Sequence, residues 1–267
     1  MPGELIGTGA AAVGAAAYVA QKVFGPTLDT MGQDINKVWA VGRDKLLARA
    51  AAKTKNLEDG KSANLRVARD VIWNGAVTDD EVCAEYFGGI LASCRSEDGK
   101  DDSAIQFVDC IKGMSSKQLH LHYSIYRSAQ LLLMRDKIGV NPGQQGELTR
   151  ATVCFYLQHL ADLGLDPMVD MPVLHRLGLV GQWKIDLHVD GIHGISYCAA
   201  TPTTYGVLLY AVAMNHLKDW MNLSTKEFEA NPEIKTPDVF ETSPKALLDK
   251  ALAVRTTTNG DTQTPAA

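Results

Sequence analysis

Trp183-Lys184-Ile185-Asp186-Leu187-His188-Val189, then Asp190-Gly191, then Ile195-Ser196-Tyr197-Cys198 is the stretch on which the fold reading turns. Apolar and polar residues alternate on both sides of a glycine turn, the period-2 signature of a two-stranded hairpin. Before it, Asp170 to Leu177 reads as a short helix or turn running into Leu177-Gly178-Leu179-Val180. After it, Thr201-Pro202-Thr203-Thr204-Tyr205-Gly206 opens an apolar helical run reaching Trp220. Helix, strand, turn, strand, helix is the order of a small winged helix, so 147–221 is expected to be a winged-helix-like domain with a β-hairpin wing.

The expected fold class is mainly α. The 267 residues are 46% hydrophobic, enough for one large or two small cores, and the abundance of alanine favours helices. Residues 25–140 read as a helical domain. A stripe of Leu28, Met31, Ile35, Val38, Trp39, Val41, Leu46 and Leu47 predicts a helix from Phe24 to about Ala52. Further helices are expected over Leu65–Trp73 with an Asn74-Gly75 turn after it, from a Thr78/Glu81 capping box, over Asp102–Lys112 and over Ser115–Met134. Asn141-Pro142-Gly143-Gln144-Gln145-Gly146 reads as a linker, and Leu148 to Leu163 as helix. Residues 222–267 read as an irregular tail with one helix at Ser243–Val254 and a disordered polar end from Thr256.

Charge divides the first half of the chain. Lys37 to Asp70 holds nine Lys/Arg against four Asp/Glu, and Asp79 to Asp102 holds eight acids against two bases. Such runs are either solvated faces or two surfaces that face each other. The net charge of −5 tells against a protein that coats nucleic acid. The helix before the wing contributes only His175 and Arg176 and the wing only Lys184, too few cations to neutralise a phosphate backbone. Lys37, Arg43, Lys45, Arg49, His175, Arg176 and Lys184 are therefore the candidate interaction surface, with a protein partner or a second copy of the chain favoured over nucleic acid.

Leu5 to Gln21 is an uncharged Ala/Gly-rich run of 17 residues, at the short limit for spanning a bilayer. Residues 1–24 are expected to form a helix, with membrane contact through 5–24 left open. No basic segment precedes the run, so it does not read as a secretion signal. The five cysteines are widely spaced and include no Cys-x-x-Cys pair, which predicts reduced thiols and a cytoplasmic protein.

No catalytic, cofactor or metal constellation emerges. Gly7-Thr8-Gly9 lacks the rest of a phosphate loop. The aspartates of Ser96–Asp102 lack the spacing of a calcium loop. His120 and His122 fall on opposite sides of a helix, and His188 and His193 with Asp186 and Asp190 are expected to be exposed wing residues. The expectation is a non-enzymatic protein.

Gly25-Pro26-Thr27-Leu28 with Gly32-Gln33 and Val38-Trp39 precede a basic helix. Asp79-Asp80-Glu81-Val82 with Glu85-Tyr86-Phe87-Gly88-Gly89-Ile90-Leu91-Ala92 precede an acidic loop and Ile111-Lys112-Gly113-Met114-Ser115. Together with Leu177-Gly178-Leu179-Val180 and the Thr201–Gly206 segment, this order resembles the Abi-alpha (abortive-infection alpha) domain of bacteria, over roughly 25–215. The resemblance implies a part in phage defence by growth arrest or cell death. It carries no catalytic residues with it.

Overall fold

The computed structural model describes residues 32–56, 58–77, 80–229 and 231–260. The expected 1–24 helix, the Thr78 cap and the end of the tail beyond 260 lie outside them. The fold is mainly α with two small antiparallel sheets, and it divides into two units. The first comprises 1–119 and 209–217, the second 120–208 and 218–267. The break falls at 119 and not in the 141–146 turn, which is bonded inside the second unit.

In the first unit, helix α1 (Gly32–Ala52) precedes a short strand β1 (Ser62–Ala63) and helix α2 (Leu65–Gly75). Helix α3 (Glu81–Ser93), strand β2 (Arg95–Ser96) and helix α4 (Ile105–Ile111) follow. β1 and β2 pair antiparallel. α3 is the centre of this unit: every residue from Val82 to Ala92 is buried, and α1, α2 and α4 pack on it. A helix apolar all round belongs inside a core. Its N-cap is Asp80, whose carboxylate accepts from the Cys83 N–H at 2.9 Å, so the expected Thr78/Glu81 capping box does not start the helix.

α2 opens on Asn64, which accepts from the Arg66 and Val67 amides, and it runs through the predicted Asn74-Gly75 turn. Gly75 lies in the last turn of α2, where Leu46 and Phe87 occupy the space a Cβ would need.

The second unit contains most of the long helix α5 (Ser116–Arg135) and a 3-10 turn (Glu147–Ala151). Next come β3 (Val153–Tyr156), α6 (Leu157–Asp162), α7 (Pro167–Arg176), β4 (Val180–Asp190) and β5 (His193–Pro202). α8 (Thr204–Ala213), a 3-10 turn (Leu217–Asn222), β6 (Phe240–Glu241) and α9 (Pro244–Gly260) close the chain; the last turns of α8 belong to the first unit. The sheet order is β4-β5-β3-β6, antiparallel throughout.

Three sequence expectations fail here for identifiable reasons. Val153-Cys154-Phe155-Tyr156 is a strand inside the predicted 148–163 helix. Sandwiched between β5 and β6, it is apolar on both faces and shows no alternation to betray it. The segment after 222 carries the expected single helix, α9, but it is no loose tail, because β6 joins the sheet and α9 covers one of its faces. Leu247 and Leu248 of α9 are buried with Cys154, Ile195, Tyr197 and Ala199. Burying a leucine fully contributes about 1.5–3 kcal/mol, enough to hold a helix of weak amphipathic pattern. Finally, β5 extends through Pro202, so α8 starts at Thr204 and not at the proline.

The hairpin matches its sequence reading but is longer, 11 and 10 residues. Its turn residues are Gly191 and Ile192, with φ +60° only at Gly191, the pattern of a type II′ turn. β3 pairs with β5 only as far as Tyr197. From Leu187 to Ser196 the hairpin is therefore two-stranded.

Candidate functional site

The basic run of α1 and the acidic opening of α3 face each other. Lys45 Nζ lies 2.8 Å from Glu81, and Arg49 binds the other Glu81 oxygen at 2.9 Å. Lys53 donates to Glu85, whose side chain is 3% exposed, and Arg49 lies 3.9 Å from the same carboxylate. Glu81 titrates below its usual range: hydrogen bonding from Lys45 leads, burial opposes it, and Arg49 adds to the lowering. Lys45 and Arg49 are thus engaged within the fold, which removes them from a free docking face. Arg43 holds Asp44 at 2.6 Å and lies over the Trp39 ring. Lys37 lies in α1.

The Glu85-Tyr86-Phe87-Gly88-Gly89 segment is a packing joint. A Cβ on Gly88 would approach the Arg49 Cβ to 2.8 Å, so glycine lets α1 come close beside the Glu85 ion pairs. A Cβ on Gly89 would overlap the carbonyl of Ala213. There Ser93 donates to the Val212 carbonyl at 3.0 Å, and Asn215 (φ +56°) donates to the Lys53 carbonyl at 2.7 Å.

A second joint explains the segments flanking the hairpin. Gly178, at φ +71°, ends α7 and lets the Leu179 amide return to Leu174. The buried Tyr126 hydroxyl donates to the Leu179 carbonyl at 2.5 Å and accepts from the Thr203 amide at 2.8 Å. Thr203 Oγ1 donates to Gly178 O at 2.6 Å and accepts from the Gly206 amide at 3.0 Å, so it caps α8. Gln145 holds Pro202 O and the Thr204 amide, both at 3.0 Å, and Thr204 donates to Pro142 O at 2.7 Å. The predicted linker is part of this joint. His122, fully buried, stacks on Tyr126 at 4.4 Å between ring centroids. Burial pushes its imidazole down to about 3, and burial pushes the Tyr126 phenol well above its usual value.

At the hairpin, His175 Nδ1 lies 2.8 Å from Gly181 O and 3.1 Å from Val180 O. Two carbonyl partners make that nitrogen a donor, so His175 ties α7 to β4. Arg176 is exposed. Lys184 lies over the Tyr197 ring and 3.4 Å from Asp186, and these contacts, Tyr197 first, raise its pKa. Tyr197, Ile195 and Ala199 line the face covered by α9, while the opposite face of β4 carries Trp183, Ile185, Leu187 and Val189.

Toward the tip that opposite face is bare: Leu187 is 61%, Val189 57% and Ile192 95% exposed. Met168 and Val169 of α7 are also exposed. Composition and charge counts missed this group, because each residue fits an ordinary strand or helix pattern.

The chain matches no family model, no curated protein and no solved structure.

Among the described residues no three side chains are arranged to hold a metal ion, and no helix is long and apolar enough to cross a membrane. All five cysteines are free thiols, and burial pushes Cys94 and Cys154 up to about 11 and Cys198 to about 12. A thiol that stays protonated at neutral pH is a poor nucleophile.

Proposed function

We propose that this chain is a non-enzymatic, protein-binding component of bacterial anti-phage defence, docking through its hairpin. The observation that carries the binding role is the uncovered apolar group Leu187, Val189 and Ile192 beyond the last residue that β3 supports. Contiguous exposed apolar side chains on a soluble surface mark docking sites. The order β3-α6-α7-β4-β5, with β3 pairing to β5, supports reading this region as a winged helix. DNA reading by it is disfavoured, since His175 is bonded to backbone, Lys184 is held by Asp186, and Arg176 stands nearly alone. The defence role rests on the resemblance to Abi-alpha domains; of the segments that carry it, Glu85–Gly89, Leu177–Val180 and Thr201–Gly206 are packing joints.

Efficiency of plating on a bacterial host expressing the chain tests this reading. Wild type is expected to reduce plaques of at least one phage class, and Leu187→Asp with Ile192→Asp to restore them while remaining folded by circular dichroism. Full protection by the doubly substituted chain sinks the docking role of the tip. Indifference of every phage to wild type sinks the defence role.

A further inference from the structure

β4 is an edge strand of 11 residues, and among the described residues no backbone hydrogen bond reaches its outer side. An edge of this length is a template for another strand unless it is covered. From Lys184 to Asp190 it reads Lys-Ile-Asp-Leu-His-Val-Asp. That string complements itself when reversed. With Leu187 on a two-fold axis, Lys184 faces the second copy's Asp190, Asp186 faces its His188, Ile185 faces its Val189, and Leu187 faces Leu187. Charged and polar pairs then fall on one face and apolar pairs on the other.

Backbone direction selects the same register. Asp190 and His193 flank a two-residue turn, the position of a hydrogen-bonded pair, and such pairs alternate along an antiparallel ladder. Asp186 and His188 therefore bond inward to β5, while Ile185, Leu187 and Val189 turn their peptide groups to the open edge. In agreement, the Leu187 amide points away from β5 and donates to Oδ1 of the preceding residue, Asp186, at 2.8 Å, a bond that strand pairing replaces. Two-fold pairing at Leu187 joins outward-facing residues to outward-facing residues, as a continuous ladder requires.

We infer that the chain self-associates through β4, two hairpins joining antiparallel about Leu187 into one eight-stranded sheet. The isologous arrangement is the commonest closed symmetry and abolishes the long edge. Pairing also covers Leu187 and Val189. The proposal deepens the protein-binding reading by naming the partner.

Sedimentation velocity of the full chain over a dilution series tests it. Wild type is expected to reach dimer. Lys184→Glu and Asp190→Lys each place like charges opposite one another and raise the dimer dissociation constant about ten-fold or more. K184E/D190K in one chain restores dimerisation, and an equimolar mixture of the K184E and D190K chains forms heterodimers more tightly than either chain self-associates. A chain that stays monomeric at every dilution overturns the proposal, whether or not it then binds phosphatidylglycerol vesicles or an added peptide strand. A dimer indifferent to both charge reversals overturns it too. In either event the plaque assay above judges the protein-binding reading independently.

Discussion

Gly206 sits where any side chain would overlap the hydroxyl of Tyr126. The two residues are far apart in sequence, yet the glycine exists for the tyrosine: the first turn of α8 closes over the phenol that binds Thr203 and Leu179. Tyr126→Phe is expected to cost about 1–3 kcal/mol, because two buried backbone groups lose their partner. Gly206→Ala is expected to cost a similar amount through overpacking, about 1–3 kcal/mol. Since the lost hydroxyl vacates part of the space the new methyl needs, urea unfolding of the double substitution should give less than the sum. Strict additivity would show that the two do not share the joint.

Among the described residues of the first unit, Glu85 and Lys53 form the most buried ion pair, with side chains 3% and 11% exposed. Removing one partner strands a charge away from water, so Glu85→Gln is expected to destabilise by about 3–5 kcal/mol. Adding Lys53→Met should recover a large part of that loss. A double-mutant cycle without coupling would place the pair's contribution elsewhere, for instance in Arg49.

His122 makes stability depend on pH. Its imidazole titrates near 3 in the fold, pushed down by burial, against an ordinary 6.5 when unfolded. Between these values the unfolded chain binds the extra proton, so stability falls as pH drops below 6.5 and the loss is complete near 3. The loss is on the order of several kcal/mol at about 1.4 kcal/mol per pKa unit. Glu241 adds to it in strong acid. Although burial raises this carboxyl, bonds from Arg135 and Lys250 hold it below 4.5, and their stabilising effect is lost as pH falls through the lowered value. His122→Phe should flatten the thermal-melting profile between pH 6 and 4. An unchanged profile would assign the acid sensitivity to the carboxylates.

The thiols should react unequally. Cys83, Cys94, Cys154 and Cys198 are buried, and Cys110 is partly exposed. Brief alkylation of the native protein at pH 8 should modify Cys110 first, as mapped by peptide mass spectrometry, with the other four reacting only after unfolding. Rapid modification of Cys154 would mean that α9 leaves the sheet readily.

Periodicity exposed the hairpin, because β4 alternates between a covered and an open face and alternation is visible in one dimension. It concealed β3, which is buried between two strands and reads as a plain apolar run. The basic and acidic stretches were visible as charge, with mutual pairing one of the two readings; that Lys45 and Arg49 meet Glu81 is a matter of α1 lying along α3. Tyr126 looked like one more member of an apolar stripe. Its hydroxyl acquires a role only when Leu179 and Thr203 arrive beside it from distant parts of the chain.

By itself the sequence determined the helical character, the hairpin and its glycine turn, and the self-complementary string from Lys184 to Asp190, since all of these are local patterns of spacing and charge. Tertiary structure alone decided which cations are engaged internally, that the 141–146 turn is a packed joint, and that the last helix covers the sheet. These outcomes depend on burial, and burial is a property of which surfaces meet in space.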